Sequence, residues 1–346
     1  MEDTNKHKRD ILRRQGSVLI PAIAYGDAAG LPVETRSAAY IADKYSGGIK
    51  ELIPTKENPF YGSTEHPGMW SDDTQLTLAV ARALIKANGF SLDALVETHL
   101  EAYDETVEIM REGKLVKRGW GGSTTAAMKK LHDGVDPTKT GTVDGAGNGV
   151  LMKMAPLAFW HGVRQSELRE KYRQYDQLTN MTHDSAVARL TTRVHGDMLA
   201  YLLREEYNRS KFMNVLEASI VIHEFELREW GKEVYPGFLR KQFEYLYGDI
   251  TTETILSETD GRGFYAPQTL AMAYGAFMAH DGEFKDTVFE AVNLGGDTDS
   301  LASIVASMSV FKTKGTQFMP MDHQNLEQLD VLKSVSRKLA ATALDD

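Results

Sequence analysis

Apolar residues recur along most of this chain at the spacing of three and four that lines one face of an α-helix. Leu76, Val80, Ala83, Leu84 and Ala87 form one such stripe, Val187, Leu190, Val194, Met198 and Tyr201 a second, and Leu301, Ile304, Val305 and Met308 a third. The boundary signals fit. Asn88-Gly89 follows the first stripe as a helix stop, and Pro267 stands where it opens a helix carrying Leu270, Tyr274 and Phe277. Alternating runs bounded by hairpin turns are nearly absent, and no regular series of β-branched runs suggests a doubly wound sheet. The pattern predicts an all-α fold. Since no repeat period or low-complexity tract divides the 346 residues, one domain over 1–346 is expected, with the charged segment 1–15 as a peripheral helix.

Composition narrows the function classes further. With 42% apolar residues the chain can bury a large core. It has no cysteine, which excludes disulfides, zinc–thiolate centres and a thiol nucleophile, so any metal must be held by oxygen or imidazole. The net charge is −10, and basic residues cluster only between Lys6 and Arg14, where His7 and Asp10 interrupt them. A nucleic-acid partner is therefore not expected. No uncharged apolar span of about 18 residues is evident, and the opening MEDTNKHKRDILRRQG lacks the apolar core of a secretory signal. No membrane association and a cytoplasmic location are expected.

Chemistry concentrates at helix starts. Ser71-Asp72-Asp73-Thr74-Gln75 precedes an amphipathic stripe, and Gly295-Gly296-Asp297-Thr298-Asp299-Ser300 precedes another. Each can be read as a cap, with Gln75 completing a capping box if Asp72 is the N-cap. A cap needs one side-chain oxygen, however, and each segment offers at least four. Four gathered carboxylates would repel, and hard divalent cations that prefer carboxylate, hydroxyl and water oxygens would remove that repulsion. Near the N-terminus, Gly26-Asp27-Ala28-Ala29-Gly30-Leu31-Pro32-Val33-Glu34 follows the apolar stretch Val18 to Tyr25 and reads as a helix end and turn closing on a glutamate. Two glycine-rich loops, Arg118 to Thr124 and Asp144 to Gly149, could present N–H groups to phosphate, although neither matches a P-loop or a dinucleotide fingerprint. Thr182-His183-Asp184-Ser185 precedes a further helix.

Taken in this order, the segments resemble the ADP-ribosylglycohydrolase family, which includes the dinitrogenase-reductase-activating glycohydrolases and the ADP-ribosyl-arginine and ADP-ribosyl-serine hydrolases. Gly26 to Glu34 is similar to its first motif, Ser71 to Thr74 to its Asp-Asp-Thr motif, and Gly147-Asn148-Gly149 with Met152 and Pro156 to its central loop. Thr182-His183 and Gly295 to Ser300 supply the rest. The resemblance implies an orthogonal all-α fold with two magnesium or manganese ions in a central cleft, held by Ser71, Asp72, Asp73, Asp297, Asp299 and Ser300. Asp73, Asp297 and Asp299 would be catalytic, together with Glu34 reaching in from a mobile loop. Gly145, Ala146, Gly147 and Asn148 would line the diphosphate, with Gly121 and Gly122 nearby, His183 would contact the ligand, and Phe264 would stack on adenine. The implied reaction is hydrolysis of the bond joining ADP-ribose to an acceptor, either a protein side chain, with arginine favoured over serine, or a small molecule. Lys153 departs from the arginine common in the family, and Ser71 and Ser300 replace threonines while keeping the hydroxyl.

Rival classes fit less well. A non-enzymatic ADP-ribose-binding, toxin-blocking or crystallin-like member is disfavoured by the intact acidic set. Helical prenyl-transfer enzymes need Asp-Asp-x-x-Asp, and Asp72-Asp73 is followed by Thr74, Gln75 and Leu76. Di-iron bundles need paired Glu-x-x-His motifs, which the chain lacks. The stretch from Glu206 to Tyr247, rich in Glu, Arg, Phe and Tyr, reads as a surface helix pair.

Overall fold

The stripes and stops become fifteen α-helices among the residues that this computed structural model describes, which are 2–58, 66–111, 114–229, 234–314 and 319–345. In chain order they are α1 (Glu2–Gly30), α2 (Ala38–Lys44), α3 (Asp72–Ala87), α4 (Leu92–Glu105), α5 (Gly122–His132), α6 (Ala155–Arg164), α7 (Leu168–Asn180) and α8 (Ala186–Arg204). Then follow α9 (Arg209–Glu229), α10 (Phe238–Gln242), α11 (Thr252–Glu258), α12 (Ala266–Ala279), α13 (Phe284–Asn293), α14 (Thr298–Lys312) and α15 (Leu329–Leu344). Among the described residues, strands are confined to an antiparallel pair, β1 (Glu108–Arg111) with β2 (Lys114–Lys117), and a two-residue parallel pair, β3 (Thr142–Val143) with β4 (His183–Asp184). The expected stops are in place. α3 ends on Asn88 in the left-handed region at φ 47°, and Pro267 lies in the first turn of α12.

α1 is the axis of the body. Its charged outer turns, Lys6 to Arg14, are mostly exposed, and from Leu19 to Ala29 it is buried throughout. No uncharged span of membrane length is present, since Asp27 interrupts the apolar half of α1, but with such a charge admitted the helix is apolar enough to qualify. Lys6–Val33 is long enough to cross a bilayer and has an 18-residue window of mean hydropathy 1.2. That window is 89% buried, chiefly against α14 and α15, so its apolar character is that of a core helix. Contact with α14 is unusually close. A Cβ at Gly26 would lie 2.3 Å from the Ala302 carbonyl oxygen, and one at Gly30 equally near the Thr298 carbonyl. These two glycines let the start of α14 approach the end of α1, which fixes where Asp27 and Asp299 meet.

The stretch from Glu206 to Tyr247 forms the long α9, packed on α8, then the short α10 and a 3-10 turn over Glu244–Tyr247. Residues 230–233 within it lie outside the described residues.

Candidate active site

Ser71 is the N-cap of α3, its Oγ accepting the Asp73 N–H at 3.2 Å. The capping box expected from Asp72 and Gln75 does not form. The cap sits one residue earlier, and the Gln75 side chain turns away to donate to the Ala102 carbonyl at 2.9 Å and accept from the Trp120 indole at 2.9 Å. The other donors at this end go to Asp27, which reaches across from the last turn of α1. Its carboxylate accepts the Ser71 N–H at 2.9 Å, the Thr74 N–H at 3.0 Å and the Thr74 hydroxyl at 2.6 Å.

The two acidic helix starts, far apart in sequence, converge. Asp73 Oδ2 accepts a hydroxyl from Ser71 at 3.3 Å and one from Ser300 at 3.3 Å. Asp297 stands at the N-cap position of α14 but its carboxylate makes no capping bond; its own N–H donates to the Arg262 carbonyl at 2.7 Å and its carboxylate accepts Asn148 Nδ2 at 2.7 Å. Gly296, at φ 77°, presses so tightly on Arg262 that a Cβ would lie 2.3 Å from its carbonyl oxygen. The Glu34 loop is tied to the same turn. Thr35 donates to the Gly296 carbonyl at 2.7 Å, Gly296 donates to Arg36 at 2.7 Å, and Thr35 itself holds the left-handed φ of 67°. Asn58 Nδ2 donates to Glu34 Oε2 at 3.2 Å, turning that carboxylate inward. Among the described residues, Glu34, Asp297 and Asp299 offer carboxylate oxygens within 4.8 Å of one another.

Such crowding is electrostatically costly. Burial first, then repulsion from Asp299, raises the pKa of Glu34 and Asp73 well above the usual carboxylate range and pushes Asp27 up to about 7. Burial and Asp299 likewise raise Asp297 well above that range, while burial raises Asp299 itself. The buried ammonium nearby does not bond to these acids. Lys153 Nζ lies 3.3 Å from His99 Nε2, and His99 Nδ1 is 2.7 Å from the Leu95 carbonyl. Burial brings Lys153 down to about 7, against the pull of Asp72. Asp73 Oδ1 is buried with no hydrogen-bond partner among the described residues. An orphaned carboxylate oxygen amid further carboxylates and two serine hydroxyls is the donor set that hard divalent cations take, so the residues fit such ions.

These acids form one end of a cleft of about 250 Å³. Of the residues singled out from the sequence, Glu34, Asp72, Asp73, Asp297, Asp299 and Ser300 line it, as do Gly121, Gly122, Gly147, Asn148, His183 and Phe264. Ser71 sits behind the wall, bonded to Asp73. Gly145 and Ala146 are not on that wall. The Gly145 carbonyl accepts the Ser185 hydroxyl at 2.7 Å and the Ala146 carbonyl accepts the Ala266 N–H at 2.9 Å, so both brace the loop from outside. Gly121 and Gly122 open α5 without a side-chain cap and line the cleft, and a helix start of this kind is a place for an anion. His183 is buried and neutral, its pKa brought down to about 3 by burial and then by Lys153, with Nδ1 2.8 Å from the Thr182 hydroxyl. Phe264 is 44% exposed at the wall.

The bridging role of Asp27 was missed in the sequence, although a signal was there. A carboxylate in the last turn of a helix opposes the helix dipole, so it needs a specific donor set elsewhere. Asn58 and the Lys153–His99 pair left no comparable mark.

The sequence profile of the ADP-ribosylglycohydrolase family matches residues 19–310, which contain every acid of the cleft. The chain belongs to that family. As an ADP-ribosylglycohydrolase it is a hydrolase acting on ADP-ribose linkages. It is 24% identical over 322 residues to an uncharacterized protein of Archaeoglobus fulgidus, covering 92% of this chain and 94% of that one. It is 23% identical over 298 residues to the ADP-ribosylarginine hydrolase Tri1 of Serratia proteamaculans, covering 83% and 68% respectively. A solved ADP-ribosylglycohydrolase-related protein complex superposes with a TM-score of 0.71 at 24% identity, over 98% of this chain and 99% of that one, which establishes the all-α fold.

Proposed function

We propose that this ADP-ribosylglycohydrolase is a single-domain enzyme requiring divalent cations, two magnesium or manganese ions, that frees ADP-ribose from modified protein side chains, arginine ahead of serine. The observation that carries the reading is Asp73 Oδ1, buried without a hydrogen-bond partner among the described residues, beside the raised carboxyls of Glu34, Asp297 and Asp299. The arginine preference is supported by the likeness to a relative named as an ADP-ribosylarginine hydrolase.

Ser71, Asp72, Asp73, Asp297, Asp299 and Ser300 would hold the ions, which supply charge neutralisation and activation of a water. The chain's own residues do the rest. The N-terminus of α5 receives diphosphate, neutral His183 hydrogen-bonds the ligand without adding charge, and the Phe264 ring offers a flat face to adenine. Asn148 fixes Asp297, and Asn58 keeps the Glu34 carboxylate turned inward, where it can accept a proton. In the reaction a water oxygen bonds to the anomeric carbon, the bond from that carbon to the acceptor nitrogen breaks, and a water proton ends on the departing guanidine.

The test is release of free ADP-ribose from arginine-linked and serine-linked ADP-ribosyl peptides, with magnesium or manganese, with EDTA, and with Asp297→Ala. Cation-dependent release that Asp297→Ala abolishes is expected, faster from arginine. Binding of ADP-ribose with no release from either linkage would sink the enzyme reading.

A further inference from the structure

The inner face of α9 is spent on the core, with Phe212, Met213, Leu216, Ile220 and Leu227 all buried. The outer face of such a helix is ordinarily polar. Here it is not. Ala218, Val221, Ile222 and Phe225 stand exposed at the spacing of three and four that makes one stripe, the last three to 57%, 51% and 51%. A single exposed apolar residue needs no explanation, but a contiguous stripe does. Polar residues bound it, Lys211 and Asn214 before it and Arg228 after it, all exposed. Read in heptads, Lys211, Ala218 and Phe225 take one seam position, and Asn214, Val221 and Arg228 the other. Beside the stripe a groove of about 310 Å³ runs between α9 and α10, lined by Ile220, Val221, Phe225, Pro236 and Gly237. Folding has already fixed its shape. The Glu224 carboxylate accepts the Gly237 N–H at 2.6 Å and the Leu239 N–H at 2.9 Å, and Glu217 pairs with Arg240 at 3.1 Å. The Arg228 guanidinium lies 5.3 Å from the centre of the Phe225 ring. Tyr247, exposed and bonded to Glu217, extends the face.

We propose that a second copy of this chain covers the stripe, the two α9 helices packing antiparallel about a twofold axis so that Phe225 of each enters the groove of the other. Length, charge and size choose that occupant. The seam runs for only about two heptads before polar residues close it, which suits a helix of the same length. Its charges complement a copy of themselves in one direction alone. Glu217 lies toward the N-terminal end of the stripe and Arg228 at its C-terminal end, so an antiparallel copy sets Arg228 beside the other Glu217 twice over. A parallel copy would set like against like. The sizes interleave in the same register: where Val221 of one copy faces Phe225 of the other, Ala218 comes opposite Arg228, small against large. An anionic membrane or a nucleic acid would call for an excess of basic groups, and this face carries both signs.

The test is sedimentation of the full chain over a range of concentrations, joined to site-directed cross-linking. One helix face with α10 beside it makes a small interface, so a monomer–dimer equilibrium with a dissociation constant of about 10–100 μM is expected. Phe225→Glu, a change at an exposed position, should remain monomeric at about 300 μM with an unchanged melting temperature. Arg228→Glu should weaken the dimer at least about tenfold, since it turns both end pairs from attraction to repulsion. Because the chain has no cysteine, Val221→Cys supplies its only thiol, and a short bismaleimide should join two such chains across the axis. Lys211→Cys should stay unjoined, for an antiparallel pair carries its two copies to opposite ends. A wild-type chain that stays monomeric throughout overturns the proposal. So does a dimer that Phe225→Glu leaves intact, or one that Lys211→Cys joins and Val221→Cys does not.

Discussion

Asp197, where α7, α8 and α9 meet, and the acids of the cleft are carboxylates buried in one protein under opposite arrangements. Asp197 accepts Lys171 Nζ at 2.8 Å, His223 Nε2 at 2.8 Å and the hydroxyls of Ser219 and Tyr172 at 2.8 and 3.1 Å. Beside it Arg193 bridges Asp176 at 2.6 Å and Glu226 at 2.8 Å. Burial works against its ionisation, yet His223 and Lys171 together outweigh burial and hold Asp197 below the usual carboxylate range. In the cleft, Asp27, Glu34, Asp73, Asp297 and Asp299 are all raised, and the buried Lys153 is bonded to His99. One cluster carries its own counter-charges and is finished by folding. The other is held in place by glycine contacts and caps at a cost in repulsion, which is the form a site takes when its counter-charge arrives from solution.

The contrast breaks first at Asp299, the acid that repels each of the others. Asp299→Ala should lower the rate of ADP-ribose release by about a thousandfold, while in EDTA the variant melts no lower than the wild type because repulsion is relieved. Should it melt far lower instead, the cleft acids stabilise the fold and the comparison is wrong. Asp197→Asn should do the reverse. It leaves Lys171 and His223 without their carboxylate and costs about 3–5 kcal/mol in denaturant unfolding, with activity per folded molecule retained.

A smaller effect comes from cations and pH together. Magnesium or manganese at about a hundred times its dissociation constant should add about 2.7 kcal/mol, seen as a higher melting temperature that EDTA reverses. Without cations, a carboxyl whose pKa is raised on folding stabilises the protein only while protonated. For Asp27, near 7 in the fold and about 3.9 unfolded, that contribution is complete below the unfolded value and disappears as pH rises to 7 and beyond. Chelated protein should thus gain stability from pH 8 to pH 5, and saturating cation should flatten the slope. A pH-independent melting temperature in EDTA would contradict the account. Asp197 has the opposite sign, its contribution being present above about pH 4 and lost below. Least of all, Ser300→Ala removes one of two hydroxyls on Asp73 Oδ2 and should reduce kcat/KM by about tenfold.

How far the sequence foretells this depends on whether a residue acts locally. The helices at 72–87, 186–204 and 298–312 follow from apolar periodicity, and the stops at Asn88 and Pro267 from backbone chemistry, since each is decided within a few neighbours. The acidic starts at 71–73 and 297–300 were legible as chemistry because they carry more oxygens than a cap needs. Whether they met was not, for it depends on Gly26 and Gly30 admitting α14 from across the chain. Position failed in the loop from Asp144 to Gly149, where Gly147 and Asn148 face the cleft but Gly145 and Ala146 face outward, a distinction set by the backbone path and not by residue type. The capping box failed for a related reason, as Gln75 found better partners on α4 and at Trp120.

The close seating of α1 against α14 also has a consequence in time. The Thr298 hydroxyl that closes on the Gly30 carbonyl comes 268 residues later in the chain. At roughly 5–20 residues per second of synthesis, the apolar half of α1 waits roughly 13–54 s for its partner. During that interval a segment with the hydropathy of a membrane span has no finished core to enter, so a newborn chain depends on shielding in a way the finished protein never does.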